Sequence, residues 1–135
     1  MVSKWLLSLS KISVLTLLHG SLLLAQYTTA SLGGAVTDGT GAAVPATSVT
    51  VRNPETGFTQ NTTSGADGAF LFPRLPVGSY QLKVEKEGFA AYERTGITLT
   101  VDQSATVDVA LQLGKVTDTI RVTGETELVT TRTAA

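Results

Sequence analysis

The sequence predicts an all-β fold in which two sheets pack face to face, and three observations carry that expectation. From Ser31 onward, short runs rich in Val, Thr, Leu and aromatic residues are punctuated by Gly, Pro, Asp and Asn at roughly 8 to 12 residue intervals. Within those runs apolar side chains recur at every second position, so each strand offers one face to a core and one to water. No window after the first residues carries a sustained helical period.

The chain opens differently. Lys4 and Lys11 flank Trp5, Leu6 and Leu7, and an apolar stretch follows from Ile12 to Leu24. Ser13, Thr16, His19, Gly20 and Ser21 interrupt it, whereas a spanning helix wants about 20 mostly apolar residues. Residues 1–25 therefore read as a cleavable signal peptide with a helical apolar region, processed after Ala25 to give a start at Gln26; Ala30 is the second candidate. An exported product follows, in the periplasm or associated with an outer membrane, with no span after cleavage. No Cys exists to receive a lipid, and His19, the only histidine, leaves with the signal.

The β domain is expected over residues 26–113. Its first run is Ser31 to Thr37, ended by Asp38-Gly39-Thr40-Gly41. In Thr47 to Asn53, Val49 and Val51 share the face opposite Thr50 and Arg52, and Asn53-Pro54-Glu55-Thr56-Gly57 turns the chain into Phe58 to Thr63. Gly65-Ala66-Asp67-Gly68 then leads to Ala69–Phe72, where Phe70 and Phe72 are core anchors. Pro73 to Gly78 reads as a rigid connection. In Ser79 to Lys86, Tyr80, Leu82 and Val84 point inward and Gln81, Lys83 and Glu85 outward. After Gly88-Phe89, Ala90 to Thr95 is extended, and Ile97, Leu99 and Val101 alternate before an Asp102-Gln103 turn. Val107, Val109, Leu111 and Leu113 form the last inward row. Residues 114–135 contain one more β-prone run, Val116 to Thr123, and a Thr-rich tail, read together as a linker or exit strand.

At 135 residues there is room for one such domain, and without cysteine its stability must come from apolar burial and sheet hydrogen bonds. The segment before Gln26 holds two lysines and no acid, which leaves 8 basic and 11 acidic residues for the remainder. Those cations are scattered along the sequence, so neither nucleic acid nor another anionic polymer is an expected ligand.

Catalysis needs a nucleophile with a base, paired carboxylates or metal ligands, and no such constellation stands out. No catalytic, cofactor-binding or metal-binding residue is assigned. Asp38 and Asp67 lie in glycine-containing turns, where a carboxylate bonding its own backbone is the ordinary role, against several oxygens at fixed offsets for Ca²⁺. Asn61-Thr62-Thr63 matches a glycosylation tripeptide of a kind common by chance in Thr-rich chains. Among the aromatics, Tyr80 belongs with the core by its place in the alternation, while Tyr92 and Phe58 are the candidate surface rings for stacking on a sugar.

A series of fragments in fixed order carries a family likeness: Gly34-x-Val36-x-Asp38, Gly41-x-x-Val44-Pro45, Val49-x-Val51, Thr56-Gly57, Asp67-Gly68-x-Phe70-x-Phe72, Leu75-Pro76-x-Gly78-x-Tyr80-x-Leu82-x-Val84 and Gly88-Phe89. The stretch Ser31 to Leu113 resembles the carboxypeptidase regulatory-like domain. That resemblance implies a seven-stranded, transthyretin-like, Ig-like Greek-key β-sandwich, akin to Cna B-type and carbohydrate-binding-like modules. Where that family usually has Gly-Ala after Val-Pro, this sequence has Ala46-Thr47. The Cna B likeness would imply a Lys to Asn isopeptide bond, but Lys83 is the first lysine after the signal and Asn53 and Asn61 both precede it.

A signal peptide, one such domain and then Leu113 to Gly124 is similar to the beginning of TonB-dependent, Oar-like outer-membrane receptors, with Ala135 falling where a plug and barrel would follow. The resemblance implies a non-catalytic accessory or interaction domain, partnered by an outer-membrane receptor or a periplasmic protein. The rival expectation is a carbohydrate-binding or adhesin-like module with a glycan partner.

Overall fold

The alternation of apolar and polar side chains builds two sheets, seen in a computed structural model that describes residues 28–115 and 117–123. The expected signal segment, with Ala25, and the tail from Gly124 lie outside the described residues. The strands are β1 (Thr29–Thr37), β2 (Ser48–Arg52), β3 (Thr59–Thr63), β4 (Ala69–Pro76), β5 (Gly78–Glu85), β6 (Ala91–Leu99), β7 (Ser104–Thr106), β8 (Val109–Ala110) and β9 (Thr119–Val122). One sheet runs β4-β1-β7, with β8 also on β1; the other runs β3-β2-β5-β6-β9. Because β7 and β8 both lie parallel to β1, they are one interrupted strand, which gives the seven-stranded sandwich that the family resemblance implies plus β9 as an added edge.

The inward faces close as the two-residue period requires. Val49, Val51, Leu82, Val84, Ile97 and Leu99 of the larger sheet meet Leu32, Val36, Phe72, Leu75, Val107, Val109 and Leu111 of the smaller, all buried. Phe70 and Phe72 meet edge to face at 6.2 Å between centroids. Tyr80 is buried with Phe58 set edge-on against it, and its hydroxyl donates to the Pro76 carbonyl at 2.7 Å, so the one polar atom carried inward is satisfied.

Several local expectations are corrected. Pro73 to Pro76 is strand and not a connection: β4 runs through it with a bulge opposite β1, which suits an edge where Pro has no N–H to offer, and Val77 alone separates β4 from β5 in the opposite sheet. The two runs expected after Gly88 are a single strand, β6, with a register shift opposite β5 that absorbs the extra residue. Val101 falls beyond that strand and is exposed, and Leu113, expected inward, is 84% exposed although its backbone bridges Phe89. The exit run does pair, through β9 parallel to β6.

The Gly-to-Ala departure at position 46 has a visible consequence. Ala46 adopts φ +53°, the left-handed region that costs a side chain about 1 to 2 kcal/mol. Around it, Thr47 and Ser64 are buried and linked: Ser64 Oγ donates to the Val44 carbonyl at 2.8 Å and accepts from Thr47 N at 2.9 Å. That closed network holds the strained residue in place.

Candidate functional site

The outward face of the larger sheet is an extended polar surface that the strands organise. Register places Asn61, Thr50, Lys83, Glu93 and Arg121 on one rung across all five strands. Contacts follow that rung: Asn61 Nδ2 donates to Thr50 Oγ1 at 2.9 Å, and Arg121 Nε to Glu93 Oε2 at 3.3 Å. The next rung carries Thr59, Arg52 and Gln81. Apart from Asn61, these residues border a groove of about 470 Å³ together with Thr95 and Thr123.

Its electrostatics differ from those of the whole chain. Arg52, Lys83, Arg94 and Arg121 border the groove, with Glu93 the only acid among its lining residues. Arg94 stands at the register position of Leu82, on the inward face, and is buried; the other three are outward. Lys83 Nζ lies 2.7 Å from Glu85, and that hydrogen bond holds its pKa above the usual lysine value against the opposing effect of burial, with the charges of Glu85 and Glu93 adding to it. The cations' scatter along the sequence does not carry over to space. They are dispersed in sequence but gathered in space, because strands distant along the chain are neighbours in the sheet.

The residues weighed for chemistry are placed elsewhere. Asp38 Oδ1 accepts from Thr40 Oγ1 at 2.6 Å, Thr40 N at 2.8 Å and Ala42 N at 3.1 Å. The Thr40 hydroxyl, then its amide and those of Ala42 and Gly41, hold the Asp38 carboxyl below the ordinary aspartate value. Asp67 Oδ1 likewise accepts from Ala69 N at 3.1 Å. Both are turn-forming carboxylates. Among the described residues no group of three His, Cys, Asp or Glu stands close enough to hold a metal, and no helix is long and apolar enough to cross a membrane, which says nothing of a β-barrel.

The stacking platform expected from Tyr92 and Phe58 is not formed. Tyr92 is 9% exposed and belongs to the core, while Phe58 and Phe89 are partly buried against it. The large exposed apolar residues among those described are Leu71, Val77, Val101 and Leu113, none of them aromatic. Leu113 and Phe89 instead wall a small apolar hollow with Gln112 and the Asp38–Thr40 turn.

Fold and face together define a β-sandwich module that presents a polar sheet surface. Comparison with known proteins gives the family. The chain belongs to the carboxypeptidase regulatory-like domain family, matching it over residues 31–112. It is 35% identical over 109 residues to the TonB-dependent transporter Oar of Myxococcus xanthus, covering 77% of this chain and spanning about a tenth (10%) of that transporter's length. Solved structures share the fold at low identity. A protein of Bacteroides uniformis described as carbohydrate binding matches with TM-score 0.51 and 19% identity over 61% of this chain and 40% of its own. Catechol 1,2-dioxygenase from Pseudomonas arvilla matches with TM-score 0.53 and 9% identity over 69% and 55%. A sandwich that serves such different proteins carries fold information alone.

Proposed function

We propose that this chain is a non-catalytic, extracytoplasmic interaction domain belonging to a TonB-dependent receptor-like protein of the bacterial envelope. The observation that carries the reading is the 35% identity to the Oar transporter across 77% of the chain, joined to a sheet face organised for polar contact and not around a reactive cleft. Residues 1–25 direct export, residues 26–113 form the module, and residues 114–135 lead away from it, with β9 tying the start of that exit to the β6 edge. The domain acts by binding or spacing, next to an outer-membrane receptor or a periplasmic protein. A glycan-binding alternative has a fold relative in its favour, but stacking on sugar rings would need exposed aromatics, and the described residues offer none.

Alkaline phosphatase fused after Thr123 in the full chain tests the placement, since that enzyme is active only after export. Activity that disappears when Ile12–Leu24 is interrupted by charges is the expected result. A fusion that stays inactive, with the protein in the cytosolic fraction, refutes the reading.

A further inference from the structure

We infer that the groove on the outer face of the five-stranded sheet binds an extended acidic peptide, whose spaced carboxylates are taken by Arg52, Lys83 and Arg121. The inference deepens the interaction reading above and rests on it.

The first argument is charge. Three outward cations, Arg52, Lys83 and Arg121, border one groove in a chain that is acidic beyond its signal. Potential concentrates where one sign of charge lines a concave surface, so this face attracts anions even though the molecule as a whole does not. Among the described residues Arg121 meets Glu93 through Nε, which leaves the terminal fork of its guanidinium for a bidentate carboxylate. Arg52 makes no ion pair with any acid among the described residues. The Lys83–Glu85 and Arg121–Glu93 pairs are solvent-exposed, and such pairs are worth at most about 1 kcal/mol, so an incoming carboxylate can share or replace them.

The second argument is spacing. Lys83 and Arg121 are two strands apart on one rung, about 9.6 Å at ordinary sheet spacing. Arg52 lies one strand from Lys83 and two residues along, about 8 Å away. Alternate residues of an extended peptide are about 7 Å apart, and the long stems of Lys and Arg cover the difference. Glu93 sits between Lys83 and Arg121 on their rung, where it repels a continuously charged polymer and tolerates one whose charges skip that position. Thr50, Thr59, Gln81, Thr95 and Thr123 supply hydroxyl and amide partners for peptide groups between the carboxylates.

Fluorescence anisotropy of the purified chain with labelled acetyl-(Thr-Glu)₅-amide tests the inference, with (Thr-Gln)₅ and polygalacturonate as the other probes. The Glu peptide should bind at least about ten-fold more tightly than its Gln analogue, and raising NaCl from about 50 to 300 mM should weaken it about ten-fold. Arg52→Gln and Arg121→Gln should each cost about three-fold and together about ten-fold, with the thermal midpoint unchanged, while Arg74→Gln, outside the groove, should cost nothing. Equal binding of the two peptides, indifference to the groove substitutions, preference for polygalacturonate, or no binding overturns the inference. Any of those results in a chain that the phosphatase fusion places outside the cytoplasm leaves the interaction-domain reading standing; a cytosolic fusion removes that reading whatever the peptide does.

Discussion

Adding one methyl group at Gly34 should unfold much of the margin that keeps this domain native. A Cβ at that position would lie 1.9 Å from the Val107 carbonyl oxygen and 2.7 Å from its carbon, against the 3.0 Å that real contacts respect, so the Val107 backbone must retreat by more than 1 Å. Val107 N donates to the Gly33 carbonyl at 2.8 Å and its side chain is buried, so the retreat breaks a buried hydrogen bond and loosens the β1–β7/β8 seam. An unmade buried bond costs about 1 to 3 kcal/mol and overpacking about 1 to 3 more, less about 0.4 to 1 returned by the stiffer unfolded chain. Gly34→Ala should therefore lose about 3 kcal/mol in urea unfolding at constant slope, with the melting midpoint falling by roughly 12 to 24 °C for a domain of this size. Gly39→Ala is the control: nothing lies within 4 Å of its added Cβ, and its backbone has no positive φ. A loss below about 1 kcal/mol at Gly34, or an equal loss at Gly39, would refute the close-approach argument.

Ala46→Gly should stabilise the domain by about 0.5 to 1 kcal/mol, because relief of the φ +53° strain exceeds the added backbone freedom of the unfolded chain; urea midpoints decide it, and a loss would contradict the strain. Tyr80→Phe removes the 2.7 Å bond to Pro76 at about 1 kcal/mol near neutral pH. Burial raises the Tyr80 pKa above 10.0, so its contribution is complete below that value and fades as pH rises beyond it, where the unfolded phenol ionises first; the wild type should then lose stability more steeply than Tyr80→Phe above pH 10.0, and parallel profiles would exclude the effect. N-terminal sequencing of the exported protein should read Gln26. Processing after Ala30 would remove Thr29 and Ala30, which pair with Pro76 and Leu75 in β1, together with the Thr29 carbonyl that accepts from Asp102 N at 3.0 Å, so a mature start at Ser31 would show that the β1 pairing is dispensable.

What the sequence disclosed and what it withheld divide along one physical line. Alternation is local, so Val49, Val51, Tyr80, Leu82, Val84, Val107, Val109 and Leu111 could be placed inward from spacing alone, and the structure buries all of them. Where a bulge shifts the period, spacing alone misleads: Pro73–Pro76 reads as a connection and is continuous strand, and the β6 register shift changes which residues face inward. Tyr92 was misplaced for a related reason, since a strand bordered by an unrecognised irregularity gives no secure parity. Gly34 appeared only as part of a family pattern. Its reason is the approach of Val107, a residue distant in sequence, and no local rule contains that distance.

The polar face shows the same limit from the functional side. Thr50 and Arg52 on one strand, and Gln81 and Lys83 on another, were legible as outward residues. Which strand lies beside which was not. Pairing of β2 with β5, β5 with β6 and β6 with β9 converts dispersed charges into a single row, and the last of these pairings depends on the exit segment returning to the sheet. β9 is therefore more than a way out of the domain: it supplies Arg121, which meets Glu93 through Nε, and with Thr123 it completes one wall of the groove. A chain ending at Leu113 would keep the sandwich core but lose that wall, so the segment that a fold-based boundary would trim is the segment that makes the surface.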